Sequence, residues 1–164
     1  MLCSLGVTMH YLKIEQRYAS RVITNFGDKT VTKTYNNKRS LHYVEKEIEW
    51  LKKFAEYKWC PRLLNYGRKS ITMSYQGEMI SKKELPNDWQ KQIDGILEGL
   101  KKHNCYYCDL RLSHLRLMDG KVSLIDFGQT RPFTELRGWT TEKQKTKFYG
   151  ILQALENEKE GIKI

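Results

Sequence analysis

The chain has 164 residues, 40% of them apolar or aromatic, which suffices for one core without disulfides or metals. That core serves one domain, or two small lobes that share it. No run approaches the roughly 18 apolar residues of a membrane span, residues 1–9 lack the basic start of a secretory signal, and no block is of low complexity, so membrane-spanning and disordered classes are excluded. Twenty-nine Lys and Arg against nineteen Asp and Glu give a net charge of +10, which points to an anionic partner: nucleic acid, nucleotide, phosphosugar or membrane surface.

Met9 is a second candidate start. Tyr11–Gln16, Val22–Phe26 and Thr30–Tyr35 read as short strands, the last two joined at Gly27-Asp28. Ser40 is placed to cap a helix carrying Leu41, Val44, Ile48, Leu51 and Ala55 at helical spacing, stopped by Pro61. Leu63–Tyr66 and Ser70–Tyr75 form a second strand pair around Gly67. A second helix runs from about Asn87 to His103, with Trp89, Ile93, Ile96, Leu97 and Leu100 on one face. Leu115–Met118 and Lys121–Ile125 flank Asp119-Gly120, a strong hairpin signal. A final helix starts at a capping box, Thr141-x-x-Gln144, and turns Phe148, Ile151, Leu152 and Leu155 inward. Strands, helix, strands, helix, hairpin and helix make an α+β pattern.

Cys3, Cys60, Cys105 and Cys108 are too few and too scattered for a disulfide scaffold. Cys105-Tyr-Tyr-Cys108 has no second pair at zinc-site spacing. Reduced thiols in a reducing, cytoplasmic setting are the simpler reading, with a redox or zinc site the lesser alternative.

The hairpin carries the chemistry. A two-residue Asp119-Gly120 turn sets Met118 against Lys121, Leu115 against Leu124 and, extended, Ser113 against Asp126. Asp126 thus arrives beside the loop Tyr107–His114, which contains Asp109. Two carboxylates at one open hairpin end resist burial together without a cation, and a divalent metal holding phosphate oxygens fits. The alternative is that both are turn residues capping backbone amides.

Leu124-Ile125-Asp126-Phe127-Gly128 is an apolar strand ending in D-F-G, behind a loop that opens Asp109-Leu110-Arg111 and reaches His114 five residues after Asp109. Order and spacing resemble the protein-kinase signature of a catalytic-loop Asp, a metal-binding residue five positions on, and D-F-G after a hairpin. Thr30-Val31-Thr32-Lys33 matches V-A-I-K in position, and Glu47 lies at the edge of the next helix's apolar stripe. The resemblance, from about Tyr11 to Arg131, is to the protein-kinase-like superfamily, in particular small divergent members such as RIO-type and lipopolysaccharide (Kdo) kinases.

That resemblance implies a minimal two-lobe fold over residues 1–164. Residues 9–75 would hold a small antiparallel sheet plus one helix, and 76–164 a reduced helical lobe. It implies ATP with Mg²⁺ or Mn²⁺, and phosphoryl transfer to a hydroxyl of a protein, sugar or other small, anionic acceptor. Lys33 would grip the α- and β-phosphates and Glu47 would hold Lys33. Asp126 would bind metal, joined by His114 where the family has Asn, and imidazole suits Mn²⁺ better than Mg²⁺. Asp109 would orient and deprotonate the acceptor, and Arg111 would neutralise transition-state charge. Ala19 and Ser20 sit at the phosphate-loop position, in the glycine-free turn Gln16–Val22. Met73 would back the base, and Ser74, Tyr75 and Gln76 would offer it backbone hydrogen bonds. Tyr107-Cys108 stands in place of His-Arg, and no A-P-E follows, which argues against a regulated protein kinase. Two other classes stay open: a nucleotide-binding pseudokinase or interaction module, motivated by the missing glycines, and a basic nucleic-acid-binding protein with interspersed Tyr and Trp.

Overall fold

The computed structural model describes residues 11–17 and 19–161. Cys3, Met9 and Tyr18 lie outside them. The protein is α+β. Strands β1 (Leu12–Gln16), β2 (Ser20–Asn25), β3 (Thr30–Tyr35), β4 (Leu63–Tyr66) and β5 (Ser70–Ser74) form one antiparallel sheet in the order β1-β2-β3-β5-β4. Val22, Lys33 and Ile71 lie side by side in the register, as do Thr24, Val31 and Met73. Because strand side chains alternate, these residues and Tyr35 share one covered face. Thr32 and Thr72 take the other, joined by a 2.9 Å hydroxyl hydrogen bond.

Helix α1 (Leu41–Lys53) buries Val44, Glu47, Trp50 and Leu51. Ser40 occupies its N-cap position but makes no side-chain capping bond. The preceding 3₁₀ turn, Lys38–Ser40, is capped by Asn37, whose Oδ1 accepts from the Ser40 N–H at 2.9 Å, and the Ser40 hydroxyl donates to the Asn37 carbonyl. Nor does α1 run to Pro61. It ends at Lys53 because Phe54, Tyr57 and Trp59 have a better arrangement than one helix face. Phe54 is fully buried, and the three rings gather with His103 and Phe127. The Trp59 carbonyl then accepts from the Leu124 N–H at 2.9 Å.

The hairpin β8 (Leu115–Met118) and β9 (Lys121–Leu124) has the register the Asp119-Gly120 turn dictates, Met118 against Lys121 and Leu115 against Leu124. Asp119 (φ 53°) and Gly120 (φ 73°) both take the left-handed conformation a type I′ turn requires. Beyond Leu115 the ladder stops. The His114 carbonyl accepts from Ile125 N–H at 3.0 Å, but Leu112–His114 wind into a 3₁₀ turn, so Ser113 does not face Asp126. Strand β6 (Glu78–Met79) adds to β8, and β7 (Cys105–Tyr106) pairs with β10 (Arg131–Pro132). Gly77 makes the β6 contact. With φ +90° it brings its Cα so close to β8 that a Cβ would lie 2.0 Å from the Leu117 carbonyl oxygen.

Helix α2 (Trp89–Lys102) buries Trp89, Ile93, Ile96 and Leu100. It packs on α3 (Thr141–Lys159), where the Trp89 indole N–H donates to Glu156 at 3.2 Å and the Tyr149 hydroxyl to Asp94 at 2.7 Å. The α3 cap is Thr140, one residue earlier than the sequence suggests, with its hydroxyl oxygen accepting from Lys143 N–H. Gln144 is thereby freed from the capping box and turned inward. Cys60, Cys105 and Cys108 are free thiols. Among the described residues, no helix is long and apolar enough to cross a membrane.

Candidate functional site

The alternation of β3 puts Lys33, a long cationic side chain, on the covered face, with its side chain only 8% exposed. Burial on that scale requires partners. Position 47 of α1 faces the sheet between Val44 and Leu51. Glu47 is fully buried there and accepts from Lys33 Nζ at 2.9 and 3.3 Å and from the Tyr35 hydroxyl at 2.8 Å. Lys33 Nζ also stands 3.4 Å from Asp126 Oδ1.

Asp126 reaches Lys33 through its backbone. Its φ of 68° is left-handed, a conformation Asp tolerates better than most residues, and non-glycine residues held there cluster at functional sites. Phe127 anchors the turn, fully buried with its ring centroid 5.3 Å from Phe54 and 5.7 Å from Tyr107. His114 lies on the opposite side of Asp126, Nε2 to Oδ2 3.5 Å, and its Nδ1 lies 2.7 Å from the Asp109 carbonyl oxygen. Arg111 holds Asp109 through Oδ1 alone, Nε at 3.0 Å and a terminal nitrogen at 2.9 Å. Tyr107 ties the loop to the D-F-G turn by donating to the Ile125 carbonyl. Its own N–H donates to the buried Gln144 Oε1 at 2.7 Å, so α3 sets the loop's height.

Electrostatics follow the geometry. Burial works against charge on Lys33, yet the carboxylates of Asp126 and Glu47 outweigh it and hold its pKa above the ordinary lysine value. Lys33, with His114 and Arg17 in support, holds the Asp126 carboxyl below its ordinary value against burial.

A cleft opens beside this cluster, between the sheet's covered face and the β8–β9 hairpin. Lys33, Met73, Ser74, Tyr75, Gln76 and Asp126 all line it. Two of the backbone donors assigned to a base are already engaged, Ser74 N–H with the Arg62 carbonyl at 2.9 Å and Tyr75 N–H with Lys29 at 2.8 Å. Gln76 is held by its side chain, which donates to the Ser74 hydroxyl and accepts from Ser123, both at 2.8 Å. Ala19 and Ser20 do not line the cleft. Ser20 pairs with Tyr35, and the Ala19 carbonyl accepts from Asn36 N–H at 3.1 Å, which commits both residues to the β2–β3 ladder. Lys13, Glu15 and Arg17 of the first strand segment take that place. Their i, i+2, i+4 spacing, opposite Leu12 and Ile14, was the available signal.

Asp109, Arg111 and His114 stand outside the cleft lining but join it through Asp126. Among the described residues no three His, Cys, Asp or Glu side chains gather as a metal-ligand group. Asp126 and His114 are a pair. No protein-family model matches the chain, and no curated protein matches it in sequence.

Proposed function

We propose that the chain is a minimal, two-lobe, protein-kinase-like phosphotransferase that moves the γ-phosphoryl group of ATP to a hydroxyl. The observation that carries this reading is Lys33, buried on a strand and held between Glu47 and Asp126 at the inner end of a cleft. A cation held there by carboxylates from two other segments suits triphosphate oxygens better than any purely structural role, since a buried ion pair is weak evidence for stability.

The residues present fit the donor and a metal. Met73 backs the cleft where a base would lie, and the Gln76 backbone is positioned at its rim. Lys33 binds phosphate oxygens. Asp126 and His114 would hold a divalent cation, which when bound neutralises charge on the β- and γ-phosphates. Asp109 Oδ1 is occupied by Arg111, and Oδ2 takes the acceptor hydroxyl's proton as its oxygen bonds the γ-phosphorus. The bond from that phosphorus to the bridging oxygen breaks, and ADP leaves. Arg111, held on Asp109, would neutralise the charge that develops. The net charge of +10 favours an anionic acceptor. A second reading, a nucleotide-binding module without turnover, is favoured by one observation: Ala19 and Ser20 lie off the cleft.

Calorimetric titration with ATP, and ADP release with Mg²⁺ and Mn²⁺ in parallel, test both readings. Asp126→Asn is expected to lose metal-dependent nucleotide binding with its circular dichroism unchanged. Asp109→Asn is expected to bind nucleotide like the wild type and lose turnover by about 10²-fold or more. Binding without turnover in the wild type selects the second reading, and no nucleotide binding at all removes both.

A further inference from the structure

We propose that Arg116 is the residue that holds the base in the cleft: its guanidinium stacks on one face of a purine, opposite the apolar wall formed by the sheet. The proposal rests on the nucleotide reading of the cleft and assigns a new residue to its base end. Of the basic side chains that line the cleft, Lys33 is held by Glu47 and Asp126, Lys13 stands 3.6 Å from Glu15, and Arg17 is exposed to solvent. Arg116 differs from all three. It projects half-buried from β8, in register with Met79 of β6 and Ser123 of β9, neither of which carries a charge. Among the described residues no carboxylate pairs with it, and its Nε is buried without a hydrogen-bond partner. Glu78 of the neighbouring strand is already engaged, accepting from the Tyr75 hydroxyl at 2.6 Å. A guanidinium is always charged, and a buried donor without an acceptor is costly. For packing alone, an apolar side chain would serve better at position 116.

The shape of the cleft sets what the guanidinium meets. One wall is the covered face of the sheet, where Val22, Val31 and Met73 line it, Val22 and Met73 only 5% and 3% exposed. The facing wall is the hairpin with Arg116, continued by Ile125. A slot between a sheet and a hairpin takes a flat ring parallel to both walls. The ring's edge then turns to residues 74–77, which also line the cleft. Its two faces meet the valines and Met73 on one side and Arg116 on the other. A guanidinium is planar and more weakly hydrated than an ammonium, so it stacks on such a face. The attraction is that of a cation over a π-system, and arginine planes are stacking partners for nucleic-acid bases. The unpartnered Nε agrees with this arrangement, because a ligand bound through its face asks for no hydrogen bond from the guanidinium edge. Two fused rings fill the slot with more stacked area than one, which makes the ligand a purine.

The test is calorimetric titration of the full chain with adenosine, inorganic tripolyphosphate and ATP, the last two with Mg²⁺. The wild type is compared with Arg116→Met, which keeps an unbranched apolar stem, and with Arg116→Lys. In Arg116→Met the affinities for adenosine and ATP are expected to fall by the same factor, about tenfold, with tripolyphosphate unchanged. Arg116→Lys should recover little of the loss, because an ammonium has no plane to stack. A loss confined to tripolyphosphate and ATP would make Arg116 a phosphate residue, and three unchanged affinities would make it a surface charge. Either result overturns the proposal and leaves the nucleotide reading standing. If the wild type binds none of the three, both fall. A second measurement needs no variant: the Arg116 Nε–H resonance of the wild type, followed by NMR as adenosine is added. Ring currents of a stacked base move it upfield, whereas a hydrogen bond to the edge of the base moves it downfield and overturns the stacking.

Discussion

Lys33 is the residue whose removal has two separable consequences. Methionine at position 33 leaves Glu47 fully buried with the Tyr35 hydroxyl as its remaining donor. An uncompensated buried carboxylate of this kind costs about 3–5 kcal/mol. Lys33→Met is therefore expected to lower the urea midpoint sharply, and its loss of nucleotide binding alone would prove little. The double variant Lys33→Met/Glu47→Leu removes both charges and is expected to recover most of the stability, because a buried pair replaced by apolar groups is often neutral. Under the proposed function it should still fail to bind ATP. Wild-type ATP affinity in the double variant would end the phosphate role proposed for Lys33. The Lys33–Glu47 pair was legible in the sequence, because strand alternation and helix phase each fix one partner. Tyr35 was not, since a tyrosine at a strand end reads equally well as core.

At the scale of elements, α3 does more than cover the core. Its first turn is set by Thr140, and the one-residue difference from the sequence pattern decides where Gln144 points. Thr140→Ala is expected to cost about 1 kcal/mol of stability, and Thr141→Ala close to nothing, in thermal melts. Gln144→Leu should act differently. It orphans the N–H of Tyr107, whose only side-chain acceptor in the described structure is Gln144 Oε1, and an unsatisfied buried donor costs about 1–3 kcal/mol. The loop from Tyr107 to Asp109 would lose its height. Under the proposed function, turnover is expected to fall several-fold more than nucleotide affinity, because Asp109 moves and the cleft does not. Equal losses in both would make Gln144 a purely structural contact. Strands β6, β7 and β10 were invisible to periodicity because each is two residues long. Their positions come from tertiary contacts, such as the close approach of Gly77 to Leu117, that no local pattern encodes.

For the molecule as a whole, one continuous core runs from the covered face of the sheet to α3, and it takes in Cys60 and Cys105. The long amphipathic segments were readable because burial there follows a simple period. The turn from Phe54 to Cys60 was not, because its rings are buried by a cluster rather than a face. The same burial predicts an alkaline limit on stability. Burial pushes the Cys105 thiol from 9.0 up to about 12 and raises Cys60 as well. Below pH 9.0 the thiol is protonated in both folded and unfolded chains, and Cys105 contributes no slope. Between 9.0 and about 12 the unfolded thiol releases its proton and the folded one keeps it. The native state then binds more protons, so stability falls as pH rises, by up to about 1.4 kcal/mol per pH unit for each such group. Urea midpoints measured from neutral pH upwards are expected to stay level and then decline through this window. Cys105→Ala lowers stability at neutral pH through its lost packing, but its alkaline decline should be shallower than that of the wild type, so the two curves converge as the pH rises through this window. Parallel slopes for the two proteins would show that the Cys105 thiol ionises as readily in the folded chain as in the unfolded one.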